Sequence, residues 1–172
     1  MTQKIRRKSI HLKEYDYSST GYYFVTICTQ NREEIFGKIE FGSMKLNKYG
    51  KIANQIWKGI PNHYTNVELD EFVIMPNHIH GIIIIDENVG TEQCSVPTHY
   101  GLLSKIVKSF KEIFIKTIHI QFEDYQFKWQ RSFYDRIIRN DKELFNIRQY
   151  ITNNPLQWEL DNENPVNWEN KQ

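Results

Sequence analysis

Only two cysteines, Cys28 and Cys94, occur in 172 residues, and they form no CxxC pair. That excludes a disulfide framework and fits free thiols in a reducing cytoplasm. A surplus of one charge is missing too. The 22 Lys and Arg against 21 Asp and Glu leave a net charge of +1, so the global field that marks strongly basic nucleic-acid binders is absent. Long apolar runs are lacking: the longest, GIIII, falls far short of the roughly 20 residues a bilayer crossing needs. The charged N-terminus has no apolar segment of the secretory kind, and there is no internal repeat or low-complexity stretch. The expectation is a soluble, cytoplasmic protein with no membrane contact. Residues 1–172 should form a single domain, because this length buries one core well and two poorly. Its core runs from about 9 to 158, between a basic N-terminal arm (KIRRKSIHLK) and an acidic tail (WELDNENPVNWE).

Hydrophobic period supplies the elements. YYFVTICTQ is aromatic and β-branched and reads as a strand. NREEIFGKIEFGSMKLN carries Gly and Asn breaks and reads as a hairpin excursion or irregular loop. Ile52, Ile56 and Ile60 then recur at helical spacing, with Asn47 as cap and Pro61 as stop. VELDEFVIM and HIHGIIIID form a hairpin whose tight turn holds Pro76 and Asn77, Asn being tolerant of the left-handed region. A polar loop follows, then a helix from Leu102 to about Ile118. WQRSFYDRIIRN reads as a strand, and Asp141 as the cap of a last helix limited by Pro155. The order strand, helix, two strands, helix, strand is the split βαβ order of a ferredoxin-like α+β fold. It predicts a four-stranded antiparallel sheet with helices on one face, plus a C-terminal helix.

Three constellations could carry chemistry. His78 and His80 are two apart, so on a strand they share a face and could hold one metal ion. On spacing alone, a structural pair at the strand entrance is the more economical reading, because HxH is short. Tyr150 and Asn154, four apart, share a helix face, although in isolation a packing tyrosine and a helix-end cap are the more economical reading. Basic residues interleaved with aromatics, among them Arg131, Arg136, Arg139 and Tyr134, could bind a nucleic-acid backbone. Lys105 and Lys108, with Arg6 and Arg7 of the basic arm, would extend such a groove. A zinc protein using His78, His80, Cys94 and His99 is a further alternative, though the spacing matches no standard zinc pattern.

FVIMPNHIHGIIII, KSFKEIF, WQRSFYDRIIRN and YITNNPLQW, taken together and in this order, resemble the small single-tyrosine HUH transposases, above all the REP-associated tyrosine transposases and related insertion-sequence enzymes. The resemblance implies a ferredoxin-like fold and cleavage and rejoining of single-stranded DNA beside a hairpin, through a covalent 5′-phosphotyrosine. By motif it makes Tyr150 the nucleophile. His78, His80 and Asn154 become ligands of a divalent metal, Mg²⁺ or Mn²⁺, with Asn154 standing where insertion-sequence relatives often have Gln. It leaves open a homodimer, and a domesticated, catalytically silent DNA-hairpin binder.

Overall fold

The computed structural model describes residues 21–86, 101–160 and 164–165. Six strands and three helices follow one another: β1 (Gly21–Cys28), β2 (Gly37–Glu40), β3 (Ser43–Leu46), α1 (Lys48–Lys58), β4 (Val67–Ile74), β5 (His78–Ile85), α2 (Leu102–Phe122), β6 (Tyr134–Ile138) and α3 (Asp141–Asn153). Four strands make one antiparallel sheet in the order β4-β5-β1-β6, while β2 and β3 pair apart from it. That is the strand order of the ferredoxin-like fold, and the α+β expectation holds. No helix among the described residues is long and apolar enough to cross a membrane.

Two-residue alternation sorts the side chains into two layers. Tyr23, Val25 and Ile27 of β1, with Ile79, Ile83 and Ile85 of β5, enter the main core. Against them pack Trp57 of α1 and a stripe of α2 running from Leu103 through Phe110 to Ile118. The alternate residues Phe24 and Ile82 face the other way and meet Ile138, Ile151 and the partly buried Leu144 and Ile147 of α3. Helices α1 and α2 therefore cover one face of the sheet and α3 the other. In β4 the register shifts between Leu69 and Phe72. That bulge changes the parity of the strand, so Val67 and Leu69 before it and Phe72 and Ile74 after it all face the main core.

Local signals account for the ends. The Asn47 side chain accepts from the Tyr49 and Gly50 amides and caps α1 as expected. For α3 the cap is Asn140, which accepts from the Glu143 amide, and Asp141 is the first helical residue. The segment 31–47 contains a true hairpin, turned by Phe41 and Gly42 with φ of 52° and 69°. The turn between β4 and β5 lies at Pro76–Asn77, closed by Met75 N–H donating to the His78 carbonyl at 2.8 Å. Asn77 is not in the left-handed region, contrary to expectation; its side chain has another task, described below.

At Gly81 helix and sheet approach closely. A Cβ there would lie 2.3 Å from the Trp57 ring and 3.1 Å from Phe72 Cβ. Gly81→Ala should lower stability by about 1–3 kcal/mol through overpacking. Urea unfolding checks this, and an unchanged midpoint would show that Trp57 does not fix the α1–sheet distance.

Candidate active site

His78 and His80 leave β5 on the face that α3 covers. Strand pairing sets Cys28 of β1 opposite His78 and Thr26 opposite His80. The rings lie 4.4 Å apart between centroids. They are not exposed at a strand entrance: His78 is 0% and His80 3% accessible, in a central strand. A buried imidazole needs partners, and each ring has one at Nδ1.

His78 Nδ1 lies 2.8 Å from Asn77 Oδ1. The Asn77 amide is oriented by its other end, since Nδ2 donates to the Arg32 carbonyl at 3.1 Å. Oδ1 can only accept, so Nδ1 of His78 carries the proton and Nε2 keeps its lone pair. That Nε2 is buried with no hydrogen bond. His80 Nδ1 lies 2.8 Å from Thr26 Oγ1, and its Nε2 lies 3.2 Å from the Tyr150 hydroxyl. With the proton on Nδ1, Thr26 accepts it and the Nε2 lone pair receives the phenol. Partners that fix a ring's tautomer in this way are what metal-binding histidines use.

Helix α3 supplies the other side. Tyr150, 41% exposed, sets its ring 5.2 Å from His80 and 6.1 Å from Phe24. One turn later Asn154 is 1% exposed, and its Oδ1 is buried with no hydrogen bond. Asn154 adopts helical φ and ψ of −56° and −41° despite the following proline, so the i, i+4 relation to Tyr150 persists to the helix end. Trp158, in the next turn, lies 6.0 Å from the His78 ring. The stretch that touches His80 at Tyr150 and His78 at Trp158 thus carries Asn154 midway, with an unsatisfied oxygen. Two orphaned buried acceptors, His78 Nε2 and Asn154 Oδ1, together with His80 Nε2, fit a divalent ion that takes nitrogen and neutral oxygen donors. Among the described residues no group of three His, Cys, Asp or Glu could hold a metal, so such a site depends on the amide.

The helix is tied to the sheet by charge as well as by its core. Arg148 forms a two-pronged ion pair with Asp70 at the β4 bulge, Nε donating to Oδ1 at 2.9 Å. Arg148 holds the Asp70 carboxyl below the usual range, chiefly through that hydrogen bond and against the desolvation of burial.

The remaining expected residues are dispersed. Tyr134 lies on the same sheet face, opposite Thr26, and meets Phe24 edge-on at 6.3 Å. Arg136 pairs with Glu143, which also accepts from the Arg139 amide. Arg131 and Arg139 are exposed near β6. Lys105 and Lys108 lie on α2, across the sheet from the histidines, so they form no groove with them; Lys108 pairs with Glu112. Arg6, Arg7, Cys94 and His99 lie outside the described residues. Sequence reading missed Thr26, Asn77 and Arg32, whose roles arise from pairing and loop contacts rather than from any motif.

Burial, foremost, lowers the proton affinity of both rings, aided by the Arg32 charge and, for His78, by His80. His78 falls well below the usual 6.5 and His80 to about 3. Both are neutral in the folded chain at pH 7. Unfolding below pH 6.5 then takes up protons, so the stability they confer is complete above 6.5 and declines as pH falls. Each ring contributes a slope of up to about 1.4 kcal/mol per pH unit. Urea midpoints should drop between pH 7 and 5, and His78→Asn with His80→Asn should flatten that dependence. An equal slope in the double variant would contradict the neutral pair.

No protein-family model matches the chain. An uncharacterized protein of Haemophilus influenzae is 41% identical over 166 residues, covering 90% of this chain and 91% of the relative; at that level the two belong to one family. Another Haemophilus influenzae protein, named a REP-associated tyrosine transposase, is 28% identical over 149 residues, covering 83% of this chain and 74% of its own length. Among solved structures, a REP-associated tyrosine transposase bound to a REP hairpin superposes with a TM-score of 0.57 at 19% identity, covering 91% of this chain and 74% of that one. The chain shares that fold, and its resemblance to the REP-associated tyrosine transposases supports a transposase-type function.

Proposed function

We propose that this chain, a relative of the REP-associated tyrosine transposases, cleaves and rejoins single-stranded DNA beside a hairpin, with Tyr150 as nucleophile. The observation that carries the reading is the Tyr150 hydroxyl 3.2 Å from His80 Nε2, beside a buried histidine and amide whose acceptors are otherwise unused. The hairpin substrate is taken from the related transposase, which binds one.

In the reaction, Tyr150 Oη attacks phosphorus and gives its proton to solvent, which its half-exposed ring borders. The Oη–P bond forms, the P–O3′ bond breaks, and the departing oxygen becomes a 3′-hydroxyl. The phosphotyrosine keeps the energy of a phosphodiester, so a second 3′-hydroxyl can reverse the step without ATP. A free phenol of pKa about 10 is only on the order of a thousandth ionised at neutral pH, so attack needs electrostatic help. His78, His80 and Asn154 would hold Mg²⁺ or Mn²⁺, with His80 Nε2 exchanging its phenol hydrogen bond for the ion, which when bound would supply Lewis-acid polarisation of a phosphate oxygen. Asn77 keeps the His78 ring in the required tautomer, Thr26 orients the His80 ring, and α3 presents the phenol to His80 of its own chain.

The test is covalent trapping on a pool of single-stranded hairpin oligonucleotides with random flanks. Wild type and Tyr134→Phe should form an adduct with Mg²⁺ or Mn²⁺, and Tyr150→Phe none. His78→Ala should abolish the metal-dependent adduct, and Asn154→Ala should raise the Mn²⁺ concentration required. DNA binding without any adduct would point instead to a silent hairpin binder. An adduct in Tyr150→Phe would remove the nucleophile assignment.

A further inference from the structure

Phe24 joins the candidate site to a second phenol. Its ring stacks on His80 with centroids 5.4 Å apart and meets Tyr150 edge-on at 6.1 Å. A third ring, that of Tyr134, meets it edge-on at 6.3 Å. Strand register gives the same neighbours: Tyr134 stands opposite Thr26, and Thr26 opposite His80. Phenol and imidazole thus leave one sheet face two strands apart, about 10 Å between backbones. The strand that carries Tyr134, β6, is an edge strand.

The cover over this face is uneven. Helix α3 packs toward β4, where Arg148 holds Asp70, so the β4 side of the histidines is closed. Asn154 and Trp158 are buried there, whereas Tyr150 and Tyr134 are 41% and 38% exposed. The apolar layer under α3 is built on Phe24, Ile82, Ile138 and Ile151, and Tyr134 lies outside it. The site therefore opens toward β6, between two phenols that share Phe24 as a neighbour. Arg136, next on the same face and paired with Glu143, and the exposed Arg131 add positive charge along that edge. A phosphate seated for attack by Tyr150 carries its adjoining nucleotide out on this side. Resting on the DNA-cleaving reading above, we propose that Tyr134 is a substrate-binding residue, whose ring stacks on an unpaired base next to the scissile phosphate and so sets that phosphate against the Tyr150 hydroxyl. Such a contact accepts any base, because every base has a π-face, and it needs a single strand, in which the base is free to leave its neighbours.

Single-turnover adduct formation with Tyr134→Leu and Tyr134→Phe tests this on a cleaved oligonucleotide recovered from the hairpin pool. Below saturating DNA, Leu should slow the adduct about tenfold to a hundredfold, and Phe, which keeps the ring, should recover most of the rate. Full rate in the Leu variant would show that bulk against Phe24 suffices, and a slow Phe variant would move the role to the hydroxyl; either result overturns the stack. An abasic residue is then set in turn at each position flanking the cleaved phosphate. It should slow wild type at one position and slow Tyr134→Leu no further there, whereas multiplying losses at every position would overturn the contact. A binding arm needs no cleavage. In Tyr150→Phe protein, 2-aminopurine moved along the single-stranded flank of a bound hairpin oligonucleotide should be quenched at one position, and adding Tyr134→Leu should remove that quenching while the hairpin stays bound. Absence of adduct with wild type defeats the cleavage reading itself, whereas quenching indifferent to Tyr134 defeats only the stack.

Discussion

The alternation of β5 between β1 and β4 is the constraint on which the rest depends. Held on both edges, this strand cannot slip by one residue without exchanging its faces. Ile79, Ile83 and Ile85 must enter the α1–α2 core, and His78, His80 and Ile82 must then face α3. Burial of the isoleucines, at about 25 cal/mol per Å² of apolar surface, holds the imidazoles in position. Gly81 lets Trp57 close over the strand between the two registers of side chains.

A second set of contacts converts that placement into a site. Asn77 lies at the junction: its carbonyl anchors Thr29, its amide nitrogen holds Arg32, and its amide oxygen fixes the tautomer of His78. Helix α3 closes the other side through Ile151 and Ile147, and the Arg148–Asp70 pair sets it against the β4 bulge. Tyr150 then meets His80 within one chain, with the buried Asn154 one turn further on. Loop, strand and helix converge on a small polar region inside an otherwise apolar layer, where unpaired acceptors are expensive and where a cation or a proton donor would satisfy them.

Much of this was legible in the sequence, and the reasons for the rest are physical. Apolar patterning located β1, α1, the β4–β5 hairpin and α2, while a cap and a proline bounded α3, whose only buried residue is Ile151. The same-face relation of His78 and His80 followed from the strand period alone. Their burial did not, since it depends on β1 arriving from 54 residues away and on α3 arriving from 70. The cap of α3 was displaced by one residue, from Asp141 to Asn140, because both side chains can cap and only backbone geometry chooses. Asn77 fitted a turn position on propensity, while its use is as a side-chain bridge. Lys105 and Lys108 are close to basic residues in sequence but lie across the sheet from the histidines, which charge counting along a chain cannot detect.

The central claim is that the phenol brought to His80 is the group that becomes bonded to DNA. The most direct measurement is mass spectrometry of the trapped adduct after nuclease and protease digestion. The account predicts a nucleotide 5′-phosphate on the peptide containing Tyr150, at that residue and no other. A nucleotide found on Tyr134, or on any side chain away from α3, would contradict it.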